Sequence, residues 1–234
     1  MPPNPPTPTP EPVISPVRYV AIIADGNRRW ARRAGVSTSV GHAAAADTLE
    51  RCVTDAVELG IRELTVFVFS TENWARPPRE VSELMDLFTR RIAIEAPKLH
   101  AQGIRVRFLG RSDGLSPRLC EQLELMQSMT AANRRLTLFL AFNYGGRAEI
   151  VDAARRFHGD SEEEFARCLY EPEMHEPEVI IRTGGERRIS NFLLWQSAYA
   201  ELVFTDALWP DFDRAQLSAC LREFGERRRR FGSR

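Results

Sequence analysis

Six apolar runs alternate with amphipathic stretches along this 234-residue chain. The runs at 18–24, 63–69, 104–109, 135–142 and 178–182, with a shorter one near 202–204, are rich in β-branched and aromatic residues and predict strands. Segments 42–59, 80–100, 116–132, 146–157, 161–169 and 213–229 predict helices. In the second of these, Val81, Leu84, Met85, Leu87, Phe88 and Ile92 keep one apolar face at helical spacing. The Trp30–Arg33 stretch reads as a first helical turn, and the apolar segment NFLLWQSAYA (191–200) as a further helix. No internal repeat is visible. Strand–helix alternation of this kind predicts an α/β fold: one domain with an open, mostly parallel six-stranded sheet flanked by helices. Ligands of such sheets sit beyond the carboxyl ends of the strands.

Composition narrows the picture. At 43% apolar residues the chain buries a full core as one domain. Basic and acidic residues balance at 32 each, so no global field directs it to nucleic acid or to anionic membranes. Eight of residues 1–16 are proline, which predicts a disordered or polyproline tail ahead of a domain at 17–234. Cys52, Cys120, Cys168 and Cys220 are widely spaced with no CxxC pair, as expected of reduced packing thiols. No signal peptide or spanning apolar run appears, so the expected location is cytoplasmic.

The chemistry collects at predicted strand ends. After VAIIA comes Asp25, then Gly26, Asn27, Arg28, Arg29 and Trp30. Backbone N–H groups at a helix start attract anions, and arginines reinforce them. A lone carboxylate among such groups needs a cation, and Mg²⁺, which binds through one or two carboxylates plus phosphate oxygens and water, meets that need. The next strands run into Ser70-Thr71-Glu72-Asn73-Trp74-Ala75-Arg76, into Asn143-Tyr144-Gly145-Gly146-Arg147, and into the segment from Arg182 to Ser190. In the last, Arg182 and Arg188 flank a Gly-Gly turn, an arrangement suited to bidentate phosphate binding. Taken singly, Asp-Gly-Asn is an ordinary turn, the arginines a solvated rim, and His42 only the start of a helix. Four strand ends with one chemistry outweigh those separate readings.

These stretches, ADGNRRWARRAG, GHAAAA, FSTENWARPPREV, FNYGGRAEIVDA and IRTGGERRISNFLLWQSAYAELVFTDALWPDF, resemble the cis-prenyltransferases of the undecaprenyl diphosphate synthase group over roughly residues 17 to 232. The resemblance implies elongation of an allylic diphosphate by isopentenyl diphosphate, with new Z double bonds. By position it implies that Asp25 holds Mg²⁺, with Glu201 as a second metal-linked carboxylate. Gly26, Asn27, Arg28 and Arg29 would cradle the allylic diphosphate, with His42 and Arg76 beside it. Trp30 and Trp74 match aromatic positions at the substrate site, and Ser70, Thr71 and Glu72 line the same loop. Asn73 matches the residue that helps remove the C2 proton of isopentenyl diphosphate, whose own site would comprise Arg182, Arg188, Ile189 and Ser190. A homodimer is implied, with Arg230-Phe231-Gly232 resembling a tail that reaches a phosphate site near the subunit interface. Transient membrane contact would suit a lipid product.

An apolar product needs a dry tunnel. Val66 and Val68, the even-numbered residues Leu136 to Phe142 and the 80–100 helix are candidate walls. Thr38, Arg28 and Arg187 depart from frequent family residues and bear on substrate affinity. Val68 and Phe142 are bulkier than the small residues common in long-chain members, which predicts a short- or medium-chain product. Other readings are long-chain undecaprenyl diphosphate synthesis, irregular coupling of two allylic units, or a non-catalytic diphosphate-binding partner subunit.

Overall fold

The structure, a computed structural model, describes residues 17–227. The proline-rich segment and the Arg230-Phe231-Gly232 tail lie outside the described residues. Six strands, β1 (Tyr19–Ile23), β2 (Glu63–Ser70), β3 (Ile104–Leu109), β4 (Leu136–Tyr144), β5 (Val179–Arg182) and β6 (Glu201–Phe204), form one sheet in the order β3-β4-β2-β1-β5-β6. All five pairings are parallel. Helices α1 (Asn27–Arg33), α2 (Thr38–Glu58), α3 (Pro78–Ala101), α4 (Pro117–Thr130), α5 (Gly146–Arg156), α6 (Glu162–Ala166) and α7 (Arg214–Glu226) accompany it.

The strands are apolar throughout because both sheet faces are covered. Successive side chains point to opposite faces, so Val20 and Ile22 enter one core while Ala21 and Ile23 enter the other. The first core takes Leu136, Leu138, Leu140 and Phe142 from β4 and packs them with residues of α2, α3, α4 and α7. The second takes Phe139 and Ala141 with Phe192 and Leu193. From β1 the chain moves to one side to form β2 and to the other to form β5, so the crevice beyond β1 and β5 is the topological switch point of the sheet.

Several predicted boundaries shift. Helix α1 starts at Asn27, three residues before the predicted turn, because Gly26 at φ 112° bends the chain straight from the strand into the helix. Helix α2 begins at Thr38 because the Ser37 side chain accepts the Val40 N–H as its N-cap. Helix α6 ends at Ala166, three residues early. The predicted 191–200 helix is corrected. The segment is a series of turns, with Ser190, Asn191 and Leu193 at φ 50°, 65° and 44°, which no α-helix tolerates in succession. Its apolar residues reflect burial in the second core: Phe192 and Leu193 are fully enclosed.

Candidate active site

Asp25 stands two residues past the end of β1, and its backbone is fixed before its side chain does anything. Its N–H donates to Thr183 Oγ1 at 2.9 Å. Its carbonyl accepts from Thr183 Oγ1 at 2.8 Å and from the Trp209 N–H at 2.9 Å. Gly26 is required at the next position: at its positive φ, a Cβ would sit 2.9 Å from Leu208 Cδ2. The Asp25 carboxylate faces two guanidinium groups, Arg182 Nη2 at 2.9 Å from Oδ2 and Arg29 Nη2 at 3.3 Å from Oδ1.

Arg182, the last residue of β5, is the pivot. Its side chain is only 5% exposed. Besides Asp25 it donates through Nη1 to Ser190 Oγ at 2.6 Å and to the Arg188 carbonyl at 2.5 Å, folding the Gly-Gly loop back over the strand end. Its Nε is buried without a partner. Arg29 donates to the Gly184 carbonyl at 2.5 Å, a close approach that only a glycine permits: a Cβ on Gly184 would lie 2.6 Å from Arg29 Nη2.

Two more buried polar atoms in the same place, Asn27 Oδ1 and His42 Nε2, have no well-formed hydrogen bond among the described residues. His42 Nε2 lies 3.5 Å from Glu80, long for a hydrogen bond. Burial, then the nearby Arg76 guanidinium, lower the His42 pKa below its ordinary value. The imidazole is therefore neutral at pH 7 and available as a donor or acceptor. A strand-end cavity is lined by Asp25, Asn27, His42, Ser70, Glu72, Asn73, Arg76, Arg182, Arg188 and Ser190. The buried Arg182 Nε–H, an N–H at His42 Nε2 and the guanidinium groups on its wall are donors that fit a polyanion with many acceptor oxygens, whereas Asn27 Oδ1 is an acceptor suited to a water or another donor.

A second cavity, mostly apolar, runs between the sheet and helices α2 and α3, past Val66, Val68, Leu84, Phe88, Ile92, Leu138, Leu140 and Phe142. The two cavities share Ala24, Asn27, His42, Phe67, Val68 and Leu84 as walls. A crevice lined by guanidinium groups therefore adjoins an apolar one, with Asn27 and His42 at their common boundary.

The remaining predicted residues are placed as follows. Ser70 opens a 3₁₀ turn over Thr71–Ala75, in which its N–H donates to Asn73 Oδ1 at 3.1 Å. Thr71 Oγ1 donates to Glu72 at 3.3 Å. Trp74 Nε1 donates to Asn143 Oδ1 at 2.7 Å, and its ring packs edge-on against Phe69, so it braces the turn. Trp30 donates to Asp211 at 2.7 Å and ties α1 to the loop after β6. Arg28 is exposed, with its charge close enough to His42 and Arg76 to lower both their pKa values. Ile189 packs against the second core.

Glu201 stands apart. Strand register sets it beside Val179 and hence level with Val20, five residues before Asp25 and roughly 16 Å from it along the strand direction. Its Oε2 accepts from Arg227 Nη1 at 2.9 Å. The pairing of Asp25 and Glu201 on one metal is thus not formed within a single chain. Thr183, Trp209, Asn143 and Asn191, to which the sequence assigned no individual role, brace the site through hydrogen bonds to its loops and carry no charge to mark them.

Residues 23–232 match the family described as "Putative undecaprenyl diphosphate synthase". An isoprenyl transferase of Caulobacter vibrioides is 47% identical over 92% of this chain and 87% of its own length. The Escherichia coli (strain K12) ditrans,polycis-undecaprenyl-diphosphate synthase is 45% identical over 92% and 89%. Among solved structures, lavandulyl diphosphate synthase from Lavandula x intermedia, in complex with dimethylallyl diphosphate, superposes with a TM-score of 0.88 at 32% identity, covering 93% of this chain and 99% of that one. The family match spans nearly the whole described domain, and the chain therefore belongs to the undecaprenyl diphosphate synthase family, the cis-prenyltransferases.

Proposed function

We propose that this chain condenses isopentenyl diphosphate with an allylic diphosphate and stops at a short- or medium-chain Z-prenyl diphosphate. The observation that carries the reading is the shared wall between the guanidinium-lined crevice and the apolar cavity. A diphosphate in the first would place its hydrocarbon in the second.

The steps follow from that placement. Breaking the allylic C1–O bond leaves a delocalised cation and a diphosphate whose charge must be met by fixed donors. Arg29, the Asn27 Nδ2 amide, His42 and the backbone at the start of α1 supply them. Asp25, whose carboxylate stands on the wall of the crevice, would hold Mg²⁺ together with diphosphate oxygens and water; when bound, the ion would supply further positive charge to the leaving group. Arg182, Arg188 and Ser190 hold the second diphosphate, that of isopentenyl diphosphate. Its C4 then attacks the allylic C1, and the C2 proton leaves beside Asn73. Carbon–carbon bond formation and proton loss restore neutrality in the hydrocarbon, and the elongated chain keeps one diphosphate. We assign the working form as a cytoplasmic homodimer. Among the described residues no helix is long and apolar enough to cross a membrane.

The test is mass spectrometry of products made from isopentenyl diphosphate, a panel of allylic primers and Mg²⁺. Elongated diphosphates are expected. A product of around fifty carbons overturns the early stop but keeps the elongation. Product from dimethylallyl diphosphate alone would instead mean irregular coupling, and no product at all a binding subunit.

Separate subsites give a further expectation. Arg188→Ala should raise the KM for isopentenyl diphosphate roughly tenfold or more, the scale of one lost charged hydrogen-bonding partner, with the allylic KM changed far less. Steady-state kinetics varying each substrate in turn checks this. Equal changes in both constants would merge the two subsites.

A further inference from the structure

Three loops of the site meet at one uncharged side chain, Asn191. Its backbone is left-handed at φ 65°, a conformation Asn tolerates better than most residues. Its carbonyl accepts the Gly146 N–H at 2.7 Å and its Oδ1 accepts the Arg147 N–H at 2.8 Å. These are first-turn N–H groups of α5, whose own N-cap residue, Gly145, has no side chain to offer them. Asn191 thus caps α5 from a distant part of the chain. The remaining end of its amide, Nδ2, donates to Glu72 Oε1 at 2.7 Å.

The approach is close enough to need bare backbone opposite. A Cβ on Gly145 would lie 2.6 Å from Thr71 Oγ1 and 2.8 Å from Asn191 Nδ2, and one on Gly146 would lie 2.7 Å from Leu194 Cγ. Glu72 is otherwise on an exposed turn and accepts from groups of that same turn, Thr71 Oγ1 at 3.3 Å among them. Partial burial alone would raise its pKa, but the hydrogen bonds it accepts, from Asn191 foremost, outweigh that and hold it below the ordinary carboxylate value. The neighbours are the reacting groups: Ser190, bonded to Arg182, precedes Asn191, and Asn73 follows Glu72. Both turns line the strand-end cavity.

We infer that Asn191 is a positioning residue for the condensation, which uses the rigid start of α5 as its anchor and holds the Glu72–Asn73 turn in register with the Arg182–Ser190 loop. Asn191 also stands on the cavity wall, but in this assignment its amide is spent on Arg147 and Glu72 and not on substrate. It sets the distance between the group beside the departing C2 proton and the diphosphate of the molecule that loses it. This rests on the elongation reading above.

The test is a reciprocal swap. Asn191→Asp keeps the acceptor for the Arg147 N–H but turns a carboxylate on Glu72. kcat should fall roughly 10- to 100-fold, the scale of a small misplacement of reacting groups, with both KM values within about threefold of wild type. Adding Glu72→Gln to that variant restores a donor–acceptor pair with its direction reversed, and kcat should recover at least about threefold. Asn191→Gly, which keeps the left-handed backbone and the bond to Gly146, provides a second reading if the aspartate variant does not fold, and should show the same loss of kcat. The inference is overturned if kcat is unchanged in the folded variants, if the second substitution brings no recovery, or if KM rises in step with the loss of kcat. A wild-type enzyme that forms no elongated product overturns the elongation reading itself, whatever the variants do.

Discussion

Asp25→Ala is expected to lower turnover by at least ~10²-fold, the scale of one removed preorganised transition-state contact, while the protein stays folded. The fold survives because the loop is held by its backbone. Thr183 and Trp209 bond the Asp25 N–H and carbonyl, and neither bond needs the carboxylate. Arg182 also keeps two acceptors, Ser190 Oγ and the Arg188 carbonyl, so its charge is not stranded. What is lost is the anionic group between two guanidinium groups, and with it the proposed anchor for Mg²⁺ against the leaving diphosphate. Turnover at saturating substrates and Mg²⁺, alongside the denaturation midpoint, separates the two effects. Turnover within error of wild type would reassign Asp25 to a structural turn. Asn at this position should be nearly as slow, since shape without charge does not hold the ion.

The sheet was legible in the sequence because parallel strands covered on both faces are written as uninterrupted apolar runs. All six predicted runs are strands. Helices were legible where a one-sided apolar face repeats over many residues, as in α3. The 191–200 segment misled for a physical reason. Apolar content records burial, and a turn packed under a sheet is as apolar as a helix; left-handed residues such as Leu193 leave no mark in composition. In the site, charged residues at strand ends announced themselves. Asp25 and Arg182 come within 2.9 Å although 157 positions apart, and that meeting follows from both lying at the carboxyl ends of neighbouring strands. Glu201, expected as a second metal-linked carboxylate, is the first residue of β6, and parallel register carries it to the opposite end of the sheet from Asp25. Neutral braces were hidden. Thr183, Asn143 and Asn191 act through geometry, and one amide or hydroxyl in a sequence does not say which loop it will reach.

Phe142→Ala should lengthen the product, and the reason lies in how the apolar cavity is partitioned. The Phe142 side chain is 4% exposed and projects from β4 toward α3. Its ring meets Phe88 of α3 edge-on, centroids 4.6 Å apart at 87°, and lies 5.6 Å from Phe69 of β2. Phe88 and Phe142 both line the cavity, so their contact narrows it between sheet and helix. Leu138, on the same face of β4 but four residues nearer its start and so farther from the strand-end crevice, lines the cavity as well, as do Leu99 and Met126. Removing the Phe142 ring takes away one half of the constriction. Phe→Ala in a packed core costs about 3–5 kcal/mol, and at this position the vacated volume joins an existing cavity that the prenyl chain fills. Product analysis with a fixed primer should show the main species longer by one or more isoprene units. Val68→Ala, the milder change on the wall shared by both cavities, should shift the distribution in the same direction by less. If both variants fold and give the wild-type distribution, the stop lies elsewhere along the cavity and the aromatic pair is ordinary core packing.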